Sequence, residues 1–363
     1  GIRSVAGSII ITHHSILQSV GTWSGLESIG GSLRIENNSA LQNLDNFGGA
    51  SFAGIGDSLR IGSNPMLTSI AGLNTLTDVG SDVSVFNNGA LPNLSGLASI
   101  ETIGGNLYIG YDGLTAYDNA AQSNADMPAL SDLGGNLHIH GPNITSADFP
   151  LLTEIPSVLR VYQTGLGNLD GLSTLVNIGL SVYIESNSAL QHIHGLNKLE
   201  TIGSRLMVLS NDNAAFTELF GDAAVLAAVG NRITIQGNDN LQSLSGLQGI
   251  TAVPSTVELI DLPALTDISD LAAITTINGG LNFNTLPAIS TLSAMSGIST
   301  ITGGLTIYNC DGLTDIGLPS GMTMSSVSIY QNAALSEVSA VNPWLDTVTT
   351  TNSGSNYIAD NAP

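Results

Sequence analysis

One line of sequence returns along the whole chain. Residues 30–44 read GGSLRIENNSALQNL, and similar lines start at residues 104 (GGNLYIGYDGL), 179 (GLSVYIESNSALQHI) and 303 (GGLTIYNCDGLTDI). When each copy is anchored on the apolar residue that opens its first triplet, most steps are 24 residues, with extremes of 22 and 30. Self-similarity at such a period is typical of solenoids, in which each repeat packs only against its neighbours. The anchors are Ile9, Leu33, Leu59, Val83, Leu107, Leu137, Leu159, Val182, Leu206, Ile233, Val257, Leu281, Leu305 and Val327.

Each repeat changes its apolar spacing after the first triplet. In the repeat that begins at Val83, the triplet alternates apolar, polar, apolar, and the later apolar positions recur about every third residue up to Ile103. The alternation predicts a strand, whereas an apolar residue at every third position fits neither an amphipathic helix nor a flat strand. It indicates a chain that bends around a core. We predict an all-β-rich, right-handed solenoid of about fourteen coils, similar to leucine-rich repeats, with the triplets aligned as a parallel sheet.

Seven coils carry Asn at the fifth residue past the anchor. A strand that ends in a turn leaves backbone amide and carbonyl groups unpaired, and a buried Asn can bond them and its counterparts in adjacent coils. We predict such an asparagine ladder, with Asp112 and Cys310 in the same column and interruptions at Leu262 and Leu286. Glycine pairs such as 104–105 precede several strands and predict tight turns. The ladder residues are Asn38, Asn64, Asn88, Asn187, Asn211, Asn238 and Asn332.

Some coils depart from this pattern. In three of them the apolar residue eight positions past the anchor is expected one residue early, at Leu114, Ile144 and Leu166. The longest step contains residues 117–130, which we interpret as a bulging loop. The composition of residues 214–230 favours a short helix.

Composition excludes several classes of function. The 363 residues include 29 acids against 7 bases, for a net charge of −22. Such a surface repels phosphates and anionic lipid, so we expect neither nucleic acid binding nor membrane insertion within this chain. No apolar run reaches the length of a membrane span. The single cysteine, Cys310, rules out an intrachain disulfide and a cysteine zinc cluster.

The segments IGGSLRIENNSALQNL, IGGNLYIGYDGL and LQHIHGLNKLETIGSRLMVLSND resemble the receptor L-domain, a relative of leucine-rich repeats. That family forms ligand-binding lobes of growth factor receptors, and similar repeats occur in microbial surface proteins. The resemblance implies an extracellular or cell-surface solenoid without catalytic residues and without a cofactor. Because cysteine-rich flanking modules are absent and the array is longer, receptor signalling is not implied.

We expect the solenoid to span residues 1–348 and residues 349–363 to form a polar linker or tail. Ile2 and Val5 match the apolar positions that precede an anchor, so the first coil is entered partway through. An uncapped parallel edge invites pairing, which predicts further domains or a partner at the N-terminal edge. At the other end, Trp344 is expected to cover the last coil.

The residues that follow each anchor are expected to point away from the core, onto the exposed face of the sheet. In a chain with six arginines, three fall in this column, among tyrosines and histidines. Arg and Tyr dominate recognition surfaces, although sheet faces favour them in any case and Arg also offsets an acidic body. The predicted ligand-binding residues are Arg34, Arg60, Tyr108, His138, His140, Arg160, Tyr162 and Tyr183.

Other candidate sites have weaker signals. His138 and His140 could share a metal, as could His192 and His194, but a zinc site needs three or four ligands, so no metal is predicted. The acids Asp112, Asp118, Asp126 and Asp132 show no spacing of a known calcium loop. Cys310 is interpreted as a buried structural thiol rather than a nucleophile.

The sequence therefore favours a non-enzymatic, secreted or cell-surface module for adhesion or for recognition of a glycan or protein ligand. One alternative is a structural spacer or a filament-forming solenoid. Another is a polysaccharide-acting β-helix enzyme, although the only lysine, Lys198, lies in a turn-rich segment and the sheet column lacks paired carboxylates.

Overall fold

The computed structural model describes residues 1–319 and 322–336, and the backbone of residues 357–359. The chain divides into two compact units, Gly1–Ile178 and Gly179–Pro363. Each is a parallel β-solenoid whose coils consist of a long strand, a tight turn, a bent segment and, in most coils, a two-residue strand. The predicted all-β solenoid of about fourteen coils is confirmed, because each unit contains seven coils that open on the predicted anchors.

In the first unit the long strands pair in chain order. They are β2 (Ile9–Thr12), β4 (Leu33–Glu36), β6 (Leu59–Gly62), β8 (Val83–Phe86), β10 (Leu107–Ile109), β12 (Leu137–Gly141) and β14 (Leu159–Thr164). The short strands are β1 (Ser4–Val5), β3 (Ser28–Ile29), β5 (Gly54–Ile55), β7 (Asp78–Val79), β9 (Thr102–Ile103), β11 (Asp132–Leu133), β13 (Glu154–Ile155) and β15 (Asn177–Ile178). Short 3₁₀ helices cover Ala71–Leu73, Ser95–Leu97 and Asp170–Leu172.

The second unit repeats this organisation. Its long strands are β16 (Val182–Glu185), β18 (Leu206–Leu209), β20 (Ile233–Gln236), β22 (Val257–Ile260), β24 (Leu281–Asn284), β26 (Gly304–Tyr308) and β27 (Ser326–Tyr330). Its short strands are β17 (Thr201–Ile202), β19 (Ala228–Val229), β21 (Ala252–Val253), β23 (Thr276–Ile277) and β25 (Thr300–Ile301). Its 3₁₀ helices cover His194–Leu196, Ser269–Leu271 and Ser293–Met295. A last strand, β28 (Tyr357–Ala359), pairs with β27.

The register within each unit aligns anchor with anchor. In the first unit Leu59 pairs with Val83, and Val83 pairs with Leu107. In the second, Ile233 pairs with Val257. This alignment stacks equivalent side chains at the spacing of adjacent strands, about 4.8 Å. Every coil therefore buries the same positions against the coils next to it.

The fourth coil shows how these positions form the core. Val83 and Val85 point inward from β8, and the apolar residues that follow at three-residue intervals are at most 1% exposed. A side chain of that size contributes about 1.5–3 kcal/mol on burial. The three-residue spacing therefore identifies the inward-pointing residues at successive bends. The buried positions after the strand are Leu91, Leu94, Leu97, Ile100 and Ile103.

The asparagine ladder forms at the seven predicted asparagines. Asn88 is fully buried, and its Nδ2 donates to the carbonyl oxygens of Ile61 and Phe86 at 2.9 Å. Its Oδ1 accepts bonds at 3.1 Å from the backbone N and Nδ2 of Asn64. In the second unit Asn187 bonds Asn211, which bonds Asn238. The residue before a ladder position often has a positive φ, as at Ser63 (54°) and Asn87 (51°), which turns the chain inward.

The glycines before the strands also form columns. A β-carbon on Gly104 would lie 2.3 Å from the carbonyl oxygen of Gly80, so the backbones approach more closely than any other residue allows. The same contact recurs between Gly203 and Gly230 in the second unit, where the distance would be 2.1 Å.

Four predictions for irregular coils are wrong, three of them in the fifth coil. The extra length of the fifth coil lies not in residues 117–130 but at residues 111–117, before the ladder position. Asn119, rather than Asp112, therefore occupies the ladder and binds Asn88. Leu114 is 87% exposed, in contrast to Ile144 and Leu166, which are buried as predicted.

Residues 214–227 form turns rather than a helix before β19. Gly221 has a φ of +78°, which a right-handed helix does not contain, and Phe216, Leu219 and Phe220 are buried in the core. Trp344 and, apart from the backbone of β28, the predicted tail at 349–363 lie outside the described residues.

Candidate functional site

A hairpin interrupts the sheet edge of the fifth coil. Gly110 follows β10 with φ +67°, and Tyr111 then forms an antiparallel bridge with Ala116. The Asp112 carboxylate accepts bonds from the backbone N of Leu114 (2.8 Å) and Thr115 (2.6 Å), which closes the turn. We call residues 111–116 the hairpin.

The hairpin packs onto the exposed face of the sheet in the first unit. The Tyr111 ring lies 5.6 Å from Tyr108 and 5.3 Å from His138, measured between centroids. Further along, Arg60 Nη1 donates to the carbonyl oxygen of Asp112 at 2.7 Å. The hairpin therefore reaches from the sixth coil back to the third and divides this face into two clefts.

One of the two clefts lies between the hairpin and the sixth and seventh coils, and we call it the tyrosine–histidine cleft. It has a volume of about 260 Å³. A second cleft of about 240 Å³ lies on the other side of the hairpin, between Arg60 and Leu114. The tyrosine–histidine cleft is lined by Tyr111, Leu114, Thr115, His138, Arg160 and Tyr162, among others.

His138 is enclosed by aromatic rings. Tyr108 and Tyr111 contact it edge-on, at 5.2 and 5.3 Å. Neither of its ring nitrogens has a hydrogen-bond partner within the described residues. Burial, with a smaller contribution from the charge of Arg160, lowers the pKa of His138 to about 4, so its imidazole is neutral near pH 7.

His140 is held from several directions. Its Nδ1 lies 2.8 Å from Asp118 Oδ1 and 3.2 Å from the carbonyl oxygen of Gly110. Its Nε2 lies 3.3 Å from Gln163 Oε1, and its ring stacks on Tyr162 at 5.0 Å. Because these contacts already engage both nitrogens, His140 acts as a fixed wall between the strand and the cleft.

The arginines of the second and third coils, Arg34 and Arg60, form ion pairs with one carboxylate. Glu36 is only 3% exposed, and both Arg34 and Arg60 bond it through their Nε atoms. Arg60 also lies 4.4 Å above the Phe86 ring. Pairing a buried carboxylate in this way avoids the cost of leaving it unpaired. These two predicted site residues thus serve an internal ion cluster, at some distance along the sheet from Tyr162.

Arg160 and Tyr162 are adjacent on the face of β14. The Arg160 guanidinium lies 5.0 Å from the Tyr162 ring centroid, a cation–π distance. Tyr183 lies on β16 in the second unit and is half-buried. The first unit therefore brings together five of the predicted residues, namely Tyr108, His138, His140, Arg160 and Tyr162.

The weaker candidates have structural surroundings. His192 stacks on His194 at 4.4 Å, and His194 Nε2 lies 3.0 Å from Glu218 Oε1. Burial raises the pKa of the Cys310 thiol to about 11, which keeps it protonated. Among the residues that the structure covers, no group of three or more His, Cys, Asp or Glu side chains is placed to hold a metal. No helix in that part of the chain is long and apolar enough to cross a bilayer.

Sequence reasoning missed the hairpin, although a signal was present. The third coil reads LRIGSN from Leu59 to its ladder residue Asn64. The fifth reads LYIG from Leu107 and resumes with DN at residues 118–119, so the segment YDGLTAY is inserted between them. Aligning the two coils on their asparagines, rather than on spacing alone, locates the insertion.

No family model matches this sequence, and no curated protein matches it. Among solved structures, the chain is similar to an internalin (InlF) from Listeria monocytogenes, with 12% identity, a TM-score of 0.36, and coverage of 83% of this chain and 87% of that one. It is also similar to a leucine-rich repeat protein from Bacteroides ovatus, with 12% identity, a TM-score of 0.29, and coverage of 98% and 92%. Similarities of this degree carry no argument about function.

Proposed function

We propose that this chain is a non-enzymatic recognition module of the receptor L-domain type, which acts outside the cell or at its surface and binds a glycan or protein ligand in adhesion or capture. The observation that carries the proposal is the aromatic and cationic cluster on one face of the first unit. Only 5% of the chain is aromatic, yet Tyr108, Tyr111 and Tyr162 meet two histidines and Arg160 there. Tyrosine and arginine on a rigid sheet are preorganised for binding.

The hairpin supports the same proposal. Insertions in repeat proteins collect on one face, which is often the binding face. This insertion packs over a sheet and forms clefts rather than extending into solvent. Its tip residue, Leu114, is 87% exposed and lines the tyrosine–histidine cleft.

A binding screen against glycan and peptide panels tests this function. Arg160→Ala and Tyr162→Ala are the informative variants, because Arg34 and Arg60 bond Glu36 and their loss would disturb folding as well. We expect wild-type protein to capture at least one ligand class and both variants to capture it more weakly, with unchanged circular dichroism. Equal capture by wild type and both variants would place recognition elsewhere on the chain.

A structural spacer is the second candidate. The Arg34–Glu36–Arg60 cluster favours it, because the charged groups of the exposed face pair with one another there. On this alternative, wild-type protein binds nothing on either panel, and its role depends on the length of the solenoid.

A further inference from the structure

The tyrosine–histidine cleft is shaped for one small ring. Its volume of about 260 Å³ is below the usual range for drug-sized ligands, so it suits a single residue of a longer molecule. The hairpin closes the side of the cleft that faces the third coil. There the Tyr111 ring packs against Tyr108, and the Asp112 carbonyl oxygen accepts a hydrogen bond from Arg60. A linear ligand therefore cannot continue along the sheet in that direction, and only its terminal residue fits.

The walls of the cleft combine apolar faces with polar edges. The rings of Tyr111 and Tyr162 and the side chain of Leu114 present carbon surface, whereas Thr115, Arg160 and the phenol groups present hydrogen-bonding atoms. Arg160 has five N–H donors, so it can bond a ligand hydroxyl in addition to its contacts within the protein. A pyranose has the matching chemistry, with C–H groups on its faces and hydroxyls at its rim.

The charge of the surrounding surface disfavours anionic sugars, although one cation, Arg160, lines the cleft. Asp112 lies within the hairpin, and Asp118, which follows it, lies 2.8 Å from His140. The chain as a whole has a net charge of −22. Arg160 already has contacts within the protein, so we expect the field of the acidic surface to outweigh its attraction for a carboxylate or sulfate, whereas a neutral hydroxyl is not repelled.

We infer that the tyrosine–histidine cleft binds the terminal neutral sugar residue of a glycan, and that the hairpin confers this end-on specificity. The inference rests on the proposed recognition function and specifies its ligand. A peptide terminus is the main competitor for a site of this size, and the test includes it.

The hairpin and the adjoining Tyr117 can be removed while the spacing of the repeat is kept. Deletion of residues 111–117 leaves LYIGDN from Leu107 to Asn119, which matches LRIGSN in the third coil. Asn119 then stands five residues past its anchor, as the ladder requires. Tyr162→Ala removes one wall by substitution and remains informative should the deletion variant not fold. Tyr308→Ala is the matched control, since Tyr308 is a half-buried tyrosine on the sheet of the second unit.

The probes are methyl glycosides of glucose, galactose, mannose and N-acetylglucosamine, with methyl glucuronide and short peptides alongside, titrated by calorimetry or NMR at millimolar concentration. We expect a neutral glycoside to bind wild-type protein, Tyr162→Ala to weaken it about tenfold or more, and the deletion to abolish it. Tyr308→Ala should leave the affinity unchanged, and methyl glucuronide should not bind.

Capture of a ligand from the panels without binding of any neutral glycoside would overturn this inference but leave the recognition function intact. The same holds if a peptide or methyl glucuronide alone binds, or if neutral glycosides bind equally to wild type and both cleft variants. Absence of binding to every panel and probe would overturn both proposals.

Discussion

The ring of Phe86 lies so close to Gly62 that a β-carbon on Gly62 would be 2.2 Å from Phe86 Cζ. The guanidinium of Arg60 lies 4.4 Å from the centroid of the same ring. Three residues of adjacent strands thus form one packed unit on the exposed face, in which the glycine makes room for the phenyl ring and the ring supports an arginine that bonds Glu36.

Gly62→Ala should displace Phe86 and loosen the Arg60–Glu36 contact. The added methyl group overlaps a ring that also contacts Arg60 and Tyr117, so we expect a loss of about 1–3 kcal/mol in unfolding free energy. Thermal unfolding midpoints measure this effect. Gly54→Ala is the matched control, because a β-carbon there meets no atom within 4 Å. Equal midpoints for the two variants would contradict the proposed packing.

Asn88→Ala should be strongly destabilising. It leaves the carbonyl oxygens of Ile61 and Phe86 and the backbone N of Asn64 without the partners that they have now. Each unsatisfied buried group costs about 1–3 kcal/mol, so the total loss should be at least about 2 kcal/mol in urea unfolding.

Asn88→Asp separates the donor role from the acceptor role. It keeps an acceptor for Asn64 but buries a charge that faces carbonyl oxygens, so it should be as damaging at pH 7 and less so in acid. Asn74→Ala, at an exposed position in αR conformation, serves as the control for both variants and should unfold like wild type.

His138 predicts a specific pH dependence. Its folded pKa of about 4 lies below its usual value of 6.5, so the unfolded chain binds more protons between those values. Its contribution to stability is therefore complete above pH 6.5 and is lost as the pH falls towards 4, by roughly 3 kcal/mol at most. His138→Phe keeps an aromatic ring between Tyr108 and Tyr111 but cannot titrate. The wild-type midpoint should consequently fall further than that of the variant between pH 7 and 4, and parallel decreases would exclude this role.

Cys310 occupies a ladder position that asparagine should fill better. Its backbone N donates to Asn332 Oδ1 at 2.9 Å, and its Sγ lies 3.5 Å from the Tyr308 carbonyl oxygen and 3.8 Å from that of Phe283. They are equivalent to the two carbonyl oxygens that Asn88 Nδ2 contacts, one in the preceding coil and one in its own. Cys310→Asn should raise the unfolding midpoint by a stabilisation of about 1 kcal/mol, whereas Cys310→Ala should lower it.

The same burial predicts slow thiol chemistry. Because the pKa of Cys310 rises to about 11, native protein should react with a thiol reagent at pH 8 far more slowly than unfolded protein. Rapid labelling of the native chain would place this thiol outside the core.

The candidate site was predictable only in part. Tyr108, His138 and Tyr162 follow from the outward column of the repeat, because alternation along a strand assigns every such residue to one face. The pairing of Arg34 and Arg60 with Glu36 could not be predicted from the repeat. The pattern places all three residues on the same face but does not indicate which of them form ion pairs. The enclosure of His138 depends on Tyr111, which belongs to no column at all.

By itself, the sequence determined the coil of this protein. Its period, its buried positions, its glycine turns and its asparagine ladder follow from local spacing, because each coil meets the same constraint from an almost identical neighbour. Only the tertiary structure decided where the hairpin packs, and with it the division of the sheet face and the burial of His138. Arg60 and Asp112, which hold one end of the hairpin, are 52 residues apart. An insertion that occurs once has no period from which such a contact can be predicted, so its position depends on side-chain packing in the folded unit.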